Sequence, residues 1–176
     1  MNIYILPYAD VLAWCLMPNH FHLMVLVKHE IQPVAKTRII SQGFTQSEPL
    51  TKNTTEKTRT FNESIGIMLR SYTRAINKQK GFSDSLFRAE TKAECINCKN
   101  VITPSFITEN GIVLVRNQNF VKQCPQSCFN YIHQNPVKAN LANSETDWEF
   151  SSALDYAKLR NGKLINKTVA KSYIDF

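Results

Sequence analysis

Two histidines one residue apart follow a turn near the start of the chain. His20 and His22 flank Phe21 in an otherwise apolar segment that comes directly after Pro18-Asn19. Alternate side chains of a strand point to the same face, so the two imidazoles are expected to project together while Phe21 packs on the other face. Two imidazoles placed in this way can chelate one metal ion. Histidines on a solvated sheet face show the same pattern, and the tripeptide alone favours that reading.

A tyrosine and an asparagine four residues apart could complete such a site. Tyr131 and Asn135 fall in a segment predicted to be helical from about Pro125, and residues four apart share a helix face, about 6 Å between their β-carbons. An amide oxygen suits Mg²⁺ or Mn²⁺, and two imidazoles with that oxygen leave positions for a phosphate oxygen. The helix is predicted to end near Asn135, because Pro136 disfavours helical geometry in the residue before it. An isolated pair of this kind more often means a core tyrosine and a helix-terminal asparagine.

The positive charge of the chain is concentrated in one stretch. The 21 Lys and Arg residues outnumber the 14 Asp and Glu residues by seven. Between residues 51 and 100 we count ten basic and five acidic residues, so this stretch carries +5 of that excess. Such a cluster is typical of a nucleic-acid partner, and a solvated helix face explains it equally well. The candidate phosphate contacts are Arg70, Arg74, Lys78 and Arg88.

The elements that must position these residues form an α+β pattern in the order strand, strand, helix, strand, helix, helix. Two apolar runs on either side of Pro18-Asn19 predict a hairpin. Thr60 with Glu63 predicts a capping box, and apolar residues recur at helical spacing from there until Gly81 stops the helix. Three further elements are expected: a polar, flexible connection at about 29–59, a strand or a segment that leads into a helix at 111–116, and a last amphipathic helix at 151–159.

Length and composition fit one globular domain over residues 1–176. The chain is 43% hydrophobic, and its longest apolar runs are far shorter than the roughly 20 residues that span a bilayer. The first residues lack a basic segment and a cleavage site, so we expect a cytoplasmic protein without a membrane partner. Its five cysteines are then reduced thiols or metal ligands. Cys95-Ile-Asn-Cys98 and Cys124-Pro-Gln-Ser-Cys128 together predict, as an alternative, a zinc-stabilised interaction domain.

Five segments of the sequence stand in a characteristic order: Leu16-Met-Pro-Asn-His-Phe-His-Leu23, Ser71-Tyr-Thr-Arg-Ala-Ile-Asn77, Ser85-Leu-Phe-Arg88, Tyr131-Ile-His-Gln-Asn-Pro-Val-Lys-Ala139 and Trp148-Glu-Phe-Ser-Ser152. In these segments and their order the chain resembles the HUH single-tyrosine transposases, and within them the REP-associated tyrosine transposases and their insertion-sequence relatives. The resemblance covers most of the chain from residue 11 to about 157, and the first and fourth segments together are highly specific.

The resemblance implies a metal-dependent enzyme that cuts and rejoins single-stranded DNA next to a hairpin during DNA transposition, a form of DNA recombination. Tyr131 corresponds to the nucleophile, which leaves a 5′-phosphotyrosine bond and a free 3′-hydroxyl. His20, His22 and Asn135 correspond to the ligands of a Mg²⁺ or Mn²⁺ ion. The family's fold is a ferredoxin-like antiparallel sheet with helices on one face. Tyr72 is the rival nucleophile, although its spacing favours a core or DNA-stacking role.

The chain departs from the family at its start, where the first strand and helix are missing. We therefore expect an N-terminally incomplete sheet with an unpaired strand edge. A late start codon, a decayed gene copy or a strand donated by a second copy in a homodimer would explain this. A second departure is Asp84, where the family usually has glycine. A DNA-binding remnant that no longer cuts is accordingly the alternative to an active enzyme.

Overall fold

The computed structural model describes residues 2–33, 58–83, 85–87, 93–96 and 120–176, with side chains in the 120–138 helix described from Cys124 onward. These residues form a mixed α+β structure with two small antiparallel sheets, which confirms the predicted class. The strands are β1 (Ala9–Leu16), β2 (Phe21–Val27), β3 (Ile31–Pro33) and β4 (Thr58–Thr60), and the helices are α1 (Phe61–Lys80), α2 (Phe120–Lys138), α3 (Ala153–Tyr156) and α4 (Lys167–Ala170), with a 3-10 turn at Glu145–Asp147.

The predicted hairpin is present as β1 and β2. The two strands pair antiparallel from Ala9 opposite Val27 to Leu16 opposite Phe21. The connection is tight, because the N–H of Met17 donates to the carbonyl of His20 at 2.8 Å. This hydrogen bond fixes the backbone of His20 directly before the first residue of β2.

Both faces of this hairpin are packed. Met24 on β2 belongs to a buried cluster with Phe129 and Ile132 of α2. Its neighbours Leu23 and Val25 point the other way and pack against a second cluster, which contains Met68 of α1. Alternation along β2 therefore places α1 and α2 on opposite faces of the hairpin.

This arrangement corrects the expectation that the helices lie on one face. An antiparallel sheet covered on one side shows apolar and polar residues in alternation, whereas β2 reads Phe-His-Leu-Met-Val-Leu-Val and offers apolar side chains to both sides. Each long helix takes one of these two apolar surfaces. Helix α2, which carries Tyr131, and helix α1, which carries the basic residues, are consequently separated by the hairpin.

Helix α1 begins and ends as predicted. The hydroxyl of Thr60 accepts from the N–H of Glu63 at 3.2 Å, and the carboxylate of Glu63 accepts from the N–H of Thr60 at 2.8 Å. Gly81 ends the helix in the left-handed conformation, with φ of 70°. The capping box and the terminal glycine satisfy backbone groups that a helix end leaves unpaired.

The predicted limits of α2 are wrong at both ends. The helix begins at Phe120 instead of about Pro125 and continues through Pro136 to Lys138. Pro136 removes only one helical hydrogen bond, close to an end where carbonyls lack helical partners in any case. The helix stops where Asn140 adopts a positive φ of 54° and the N–H of Leu141 returns to the carbonyl of Pro136 at 2.9 Å. This is a Schellman ending.

The C-terminal part of the chain lies along the free edge of β1. The N–H of Leu16 donates to the carbonyl of Phe150 at 2.8 Å, and the N–H of Ser152 donates to the carbonyl of Trp14 at 2.9 Å. Further along, the N–H of Asn166 donates to the carbonyl of Val11 at 2.8 Å. This edge of the hairpin is therefore covered.

Three smaller expectations have different outcomes. The helix predicted at 151–159 is shorter and spans only Ala153–Tyr156. The connection predicted at 29–59 carries β3 at one end and most of β4 at the other, and these strands pair with each other. The lead-in predicted at 111–116 lies outside the described residues. Across the part of the chain that the structure describes, every helix is too short or too polar to cross a membrane.

Candidate functional site

Three of the predicted site residues meet at the start of β2. The rings of His20 and His22 are 4.9 Å apart between centroids and nearly perpendicular. The ring of Tyr131 lies 5.4 Å from that of His22, also edge to face. Strand β2 and helix α2 thus bring the phenol of Tyr131 next to two imidazoles that lie more than a hundred residues before it in the sequence.

The two imidazoles could act as ligands of a metal ion. The Nε2 atom of His22 is buried without a hydrogen-bond partner. Burial, assisted by the charge of His20, lowers the pKa of His22 to about 4, so its ring is neutral at pH 7. The Nδ1 atom of His20 lies 2.6 Å from the Oδ1 atom of Asn19, a contact that orients the His20 ring.

Asn135 lies one helical turn beyond Tyr131, on the same face of α2. Its side-chain N–H donates to the carbonyl of Tyr131 at 3.2 Å, and the side chain is half-buried. The structure brings Asn135 next to the tyrosine, and its side-chain hydrogen bond goes to the Tyr131 backbone. The site as described therefore consists of His20, His22 and Tyr131, with Asn135 adjacent.

Lys138 also borders the site, although it was not among the site residues predicted from the sequence. Its Nζ atom lies 5.6 Å from the centroid of the Tyr131 ring. The two residues are seven apart, which is two helical turns, so they share a face of α2. The helical spacing of Tyr131, Asn135 and Lys138 is visible in the sequence, but the helix was predicted to end before Lys138 could join that face.

Tyr72 occupies a different region. Its ring lies 5.9 Å from the ring of Phe87, which in turn lies 5.9 Å from the ring of Phe21. Phe21 and His22 are neighbours on a strand and therefore point to opposite faces of the hairpin. Tyr72 is grouped with aromatic side chains on the face away from Tyr131. It is exposed, so it is not the core residue expected as one alternative, and the DNA-stacking role stays a prediction.

The basic residues of α1 are not assembled with the tyrosine. Arg70, Arg74 and Lys78 are exposed. Arg70 follows the buried Met68 by two residues, or about 200° around the helix axis, and so faces solvent. Because α1 and α2 lie on opposite faces of the hairpin, this basic surface points away from the candidate site. Arg88, the fourth predicted DNA contact, lies outside the described residues.

The cysteines of the zinc alternative are only partly described. Cys124 and Cys128 are free thiols on α2, and burial, followed by the charges of Cys124 and Glu94, raises the pKa of Cys128 to about 12. Cys95 is disulfide-bonded, so the expectation that all five cysteines are reduced thiols or metal ligands is wrong for this residue, and Cys98 lies outside the described residues. Within the described ranges, no group of three or more His, Cys, Asp or Glu side chains is arranged to hold a metal ion.

His133 and Ser152, which belong to two of the quoted segments, hold the site's framework together. The Nε2 atom of His133 lies 2.7 Å from the hydroxyl oxygen of Ser152. That hydroxyl accepts from the N–H of Trp14 at 2.9 Å and donates to the carbonyl of Trp14 at 3.1 Å, so Nε2 of His133 is the donor. The side chain of Trp148 adds a hydrogen bond to the carbonyl of Leu16 at 2.9 Å. These residues connect α2, β1 and the C-terminal segment.

Comparisons of the chain with protein-family models, with curated proteins and with solved structures find no match.

Proposed function

We propose that this protein is a tyrosine transposase that nicks and rejoins hairpin-bearing single-stranded DNA through a 5′-phosphotyrosine intermediate. The observation that carries the proposal is the contact between the Tyr131 ring and the imidazole of His22, with His20 directly beside it. The family resemblance supplies the reaction. A ferredoxin-like order of strands belongs to the proposal as well, with α1 and α2 on opposite faces of the hairpin instead of on one face.

The residues present fit a divalent metal ion. The buried Nε2 atom of His22 lacks a hydrogen-bond partner and belongs to a neutral ring, and a contact with Asn19 orients the ring of His20 beside it. These two imidazoles would hold Mg²⁺ or Mn²⁺, with Asn135 as the proposed third ligand. A bound ion would polarise the scissile phosphate and stabilise charge on the leaving oxygen.

In the proposed reaction the phenol oxygen of Tyr131 attacks the scissile phosphorus. A bond forms between that oxygen and phosphorus, and the bond from phosphorus to the 3′-oxygen breaks. The phenol proton goes to solvent, and the departing 3′-oxygen takes up a proton. Rejoining reverses these steps with a second 3′-hydroxyl. The exposed Arg70, Arg74 and Lys78 are proposed to bind phosphates of the flanking strand, together with Arg88.

A labelled-adduct experiment tests the proposal. The probe is a DNA hairpin flanked by randomised single-stranded segments, incubated with the protein and Mn²⁺ and analysed on a denaturing gel. A 5′-phosphotyrosine bond retains the DNA lying 3′ of the cut, so a label at the 3′ end should migrate with the protein and a label at the 5′ end should not. The adduct should require metal and should disappear in Tyr131→Phe, whereas Tyr72→Phe should retain it.

Each outcome has a distinct meaning. An adduct that persists in Tyr131→Phe and is lost in Tyr72→Phe overturns the assignment of the nucleophile. Salt-sensitive binding of the probe without an adduct in any metal would identify the chain as a DNA-binding remnant. Zinc that copurifies with the protein and is lost in Cys128→Ser would instead support the interaction domain.

A further inference from the structure

Three aromatic rings form a row on the face of the hairpin away from Tyr131. The ring of Phe87 lies 5.9 Å from that of Phe21 and 5.9 Å from that of Tyr72, both measured between centroids. Phe21 and Phe87 are half-buried, and Tyr72 is 36% exposed. Rings of a core cluster are covered by their neighbours, whereas this row keeps contact with solvent. We call these three residues the aromatic row.

The helix that carries Tyr72 is strongly basic. Between Ser64 and Ser83 the sequence has four basic residues and no acidic one. Lys78 and Lys80 lie about 120° and 80° from Tyr72 around the helix axis, on either side of it, and about 9 and 12 Å further along the axis. Both lysines are exposed. The electrostatic potential around the aromatic row is therefore positive and attracts a polyanion.

We infer that the aromatic row is a stacking surface for the bases of single-stranded DNA, and that the bound strand continues from it around the turn of the hairpin to Tyr131. The inference rests on the proposed function, which makes single-stranded DNA the ligand. Bases stack on aromatic side chains with little regard to sequence, while neighbouring basic residues bind the DNA backbone. The aromatic row and the lysines of α1 supply these two kinds of contact.

The turn between β1 and β2 gives the strand a short route from one face to the other. Phe21 and His22 are neighbours on β2, so they point to opposite faces although their α-carbons are about 3.8 Å apart. Pro18, Asn19 and His20 are exposed at the same end of the hairpin. A strand that passes over this end reaches the histidine pair directly from the aromatic row. The route gives the basic helix a function although it lies across the hairpin from the candidate nucleophile.

Equilibrium binding of the hairpin probe in EDTA, measured by fluorescence anisotropy, tests the stacking surface. A second probe keeps the hairpin and has abasic flanking segments. Tyr72→Leu should bind the base-bearing probe about tenfold more weakly than wild type and the abasic probe equally well, because only bases stack. Tyr72→Phe keeps a ring and should bind both probes as wild type does. Phe176→Leu, at an aromatic residue that is 50% exposed, is the matched control and should also behave as wild type.

The dependence of binding on salt separates the ring from the charges. Tyr72→Leu should leave the slope of log affinity against log salt concentration unchanged, because a ring neutralises no phosphate. Arg74→Gln should reduce that slope by about 0.7, the value for one phosphate contact on a single strand. Thermal unfolding of Tyr72→Leu should match wild type, because the side chain is exposed. Phe87→Leu changes the middle of the aromatic row and, as a second variant, should show the same selective loss on the base-bearing probe.

The rate of adduct formation tests the route around the hairpin. The protein is in excess over the probe, and Mn²⁺ is present. Tyr72→Leu should raise the protein concentration that gives half the maximal rate about tenfold, and the maximal rate should stay within twofold of wild type. An unchanged half-maximal concentration would show that the aromatic row does not bind the strand that is cut, and it would overturn the route. A maximal rate of zero would overturn the stacking role by making Tyr72 part of the chemistry.

These outcomes separate the inference from the proposed function. A wild-type protein that forms no adduct in any metal refutes the function, and the two binding probes still decide whether the aromatic row stacks bases. Binding of the base-bearing probe within twofold of wild type in both Tyr72→Leu and Phe87→Leu overturns the inference. Equal losses on the two probes overturn it as well, because they show a contact with the DNA backbone or a disturbed fold.

Discussion

The buried imidazole of His133 shows how a single side chain can serve the framework of a site without joining its chemistry. It is 2% exposed and packs edge to face against Phe129, with ring centroids 4.3 Å apart. Its Nε2 atom is hydrogen-bonded to the hydroxyl of Ser152, and in a helix a residue two positions from Tyr131 points elsewhere. A histidine next to a candidate nucleophile is therefore part of the core.

This burial gives stability a dependence on pH. Burial, partly opposed by the charge of Asp155, lowers the pKa of His133 from 6.5 to about 4. Between pH 6.5 and pH 4 the imidazole of His133 binds a proton in the unfolded chain but not in the folded chain. The free energy of unfolding is therefore highest above pH 6.5 and falls as the pH decreases towards 4. In EDTA, the free energy of unfolding should fall between pH 7.5 and pH 5 by about 2 kcal/mol less in His133→Gln than in wild type. An equal fall in both proteins, measured by urea unfolding, would contradict this.

The hydroxyl of Ser152 should be more important for stability than its size suggests. Ser152→Ala removes the acceptor of two donors, the N–H of Trp14 and Nε2 of His133. Buried donors left without partners cost about 1–3 kcal/mol. Urea unfolding should show a loss in that range, whereas Ser127→Ala, at an exposed position on α2, should stay within about 0.5 kcal/mol of wild type. A similar effect in both variants would refute the network.

At the scale of elements, α1 and α2 differ in how well the sequence defines them. Thr60, Glu63 and Gly81 mark the ends of α1 through local hydrogen bonds and backbone conformation, which sequence patterns capture directly. The end of α2 depends on tertiary packing, because Pro136 is buried within its last turn and the helix continues past it. A rule about the residue before proline describes a local preference that such packing overrides.

The ending of α2 at Asn140 can be tested with two substitutions at one position. Asn140 has a positive φ of 54°, which asparagine and glycine tolerate better than alanine. Asn140→Ala should lower the free energy of unfolding by about 1 kcal/mol, and Asn140→Gly should leave it close to wild type. Thermal unfolding of both variants provides the measurement. Equal stabilities would mean that the helix does not end in this left-handed conformation in solution.

At the scale of the whole molecule, the sequence predicted the hairpin and the histidine pair but not the covering of β1. Alternation of side chains along a strand is enough to place His20 and His22 together. The C-terminal segment joins β1 through backbone hydrogen bonds such as that between Ser152 and Trp14, residues 138 positions apart, which have no local signature. The distribution of helices over both faces is likewise a long-range outcome. Lys138 was missed for the related reason that α2 was predicted too short.

The same C-terminal segment contains an internal ion pair between Asp155 and Arg160. The carboxylate of Asp155 is buried and accepts from Arg160 at 2.6 Å and from the N–H of Gly162 at 2.8 Å. Burial alone would raise the pKa of Asp155, but these hydrogen bonds outweigh it and leave that pKa below its usual range. Arg160 also donates to the carbonyl of Glu149 at 2.7 Å. Through Arg160, the pair therefore joins α3 to Glu149, just before the residues that are hydrogen-bonded to β1.

Removing both partners of this pair should destabilise the protein less than the two single removals added together. Arg160→Gln leaves a buried carboxylate without its cation, and we expect it to lower the free energy of unfolding by about 3 kcal/mol. Asp155→Asn combined with Arg160→Gln should cost less than the sum of the single changes, because neither variant group then carries an unpaired charge. Lys163→Gln, at an exposed position nearby, is the control for loss of positive charge. Additive losses in urea unfolding would show that Asp155 and Arg160 contribute independently and would contradict the pair.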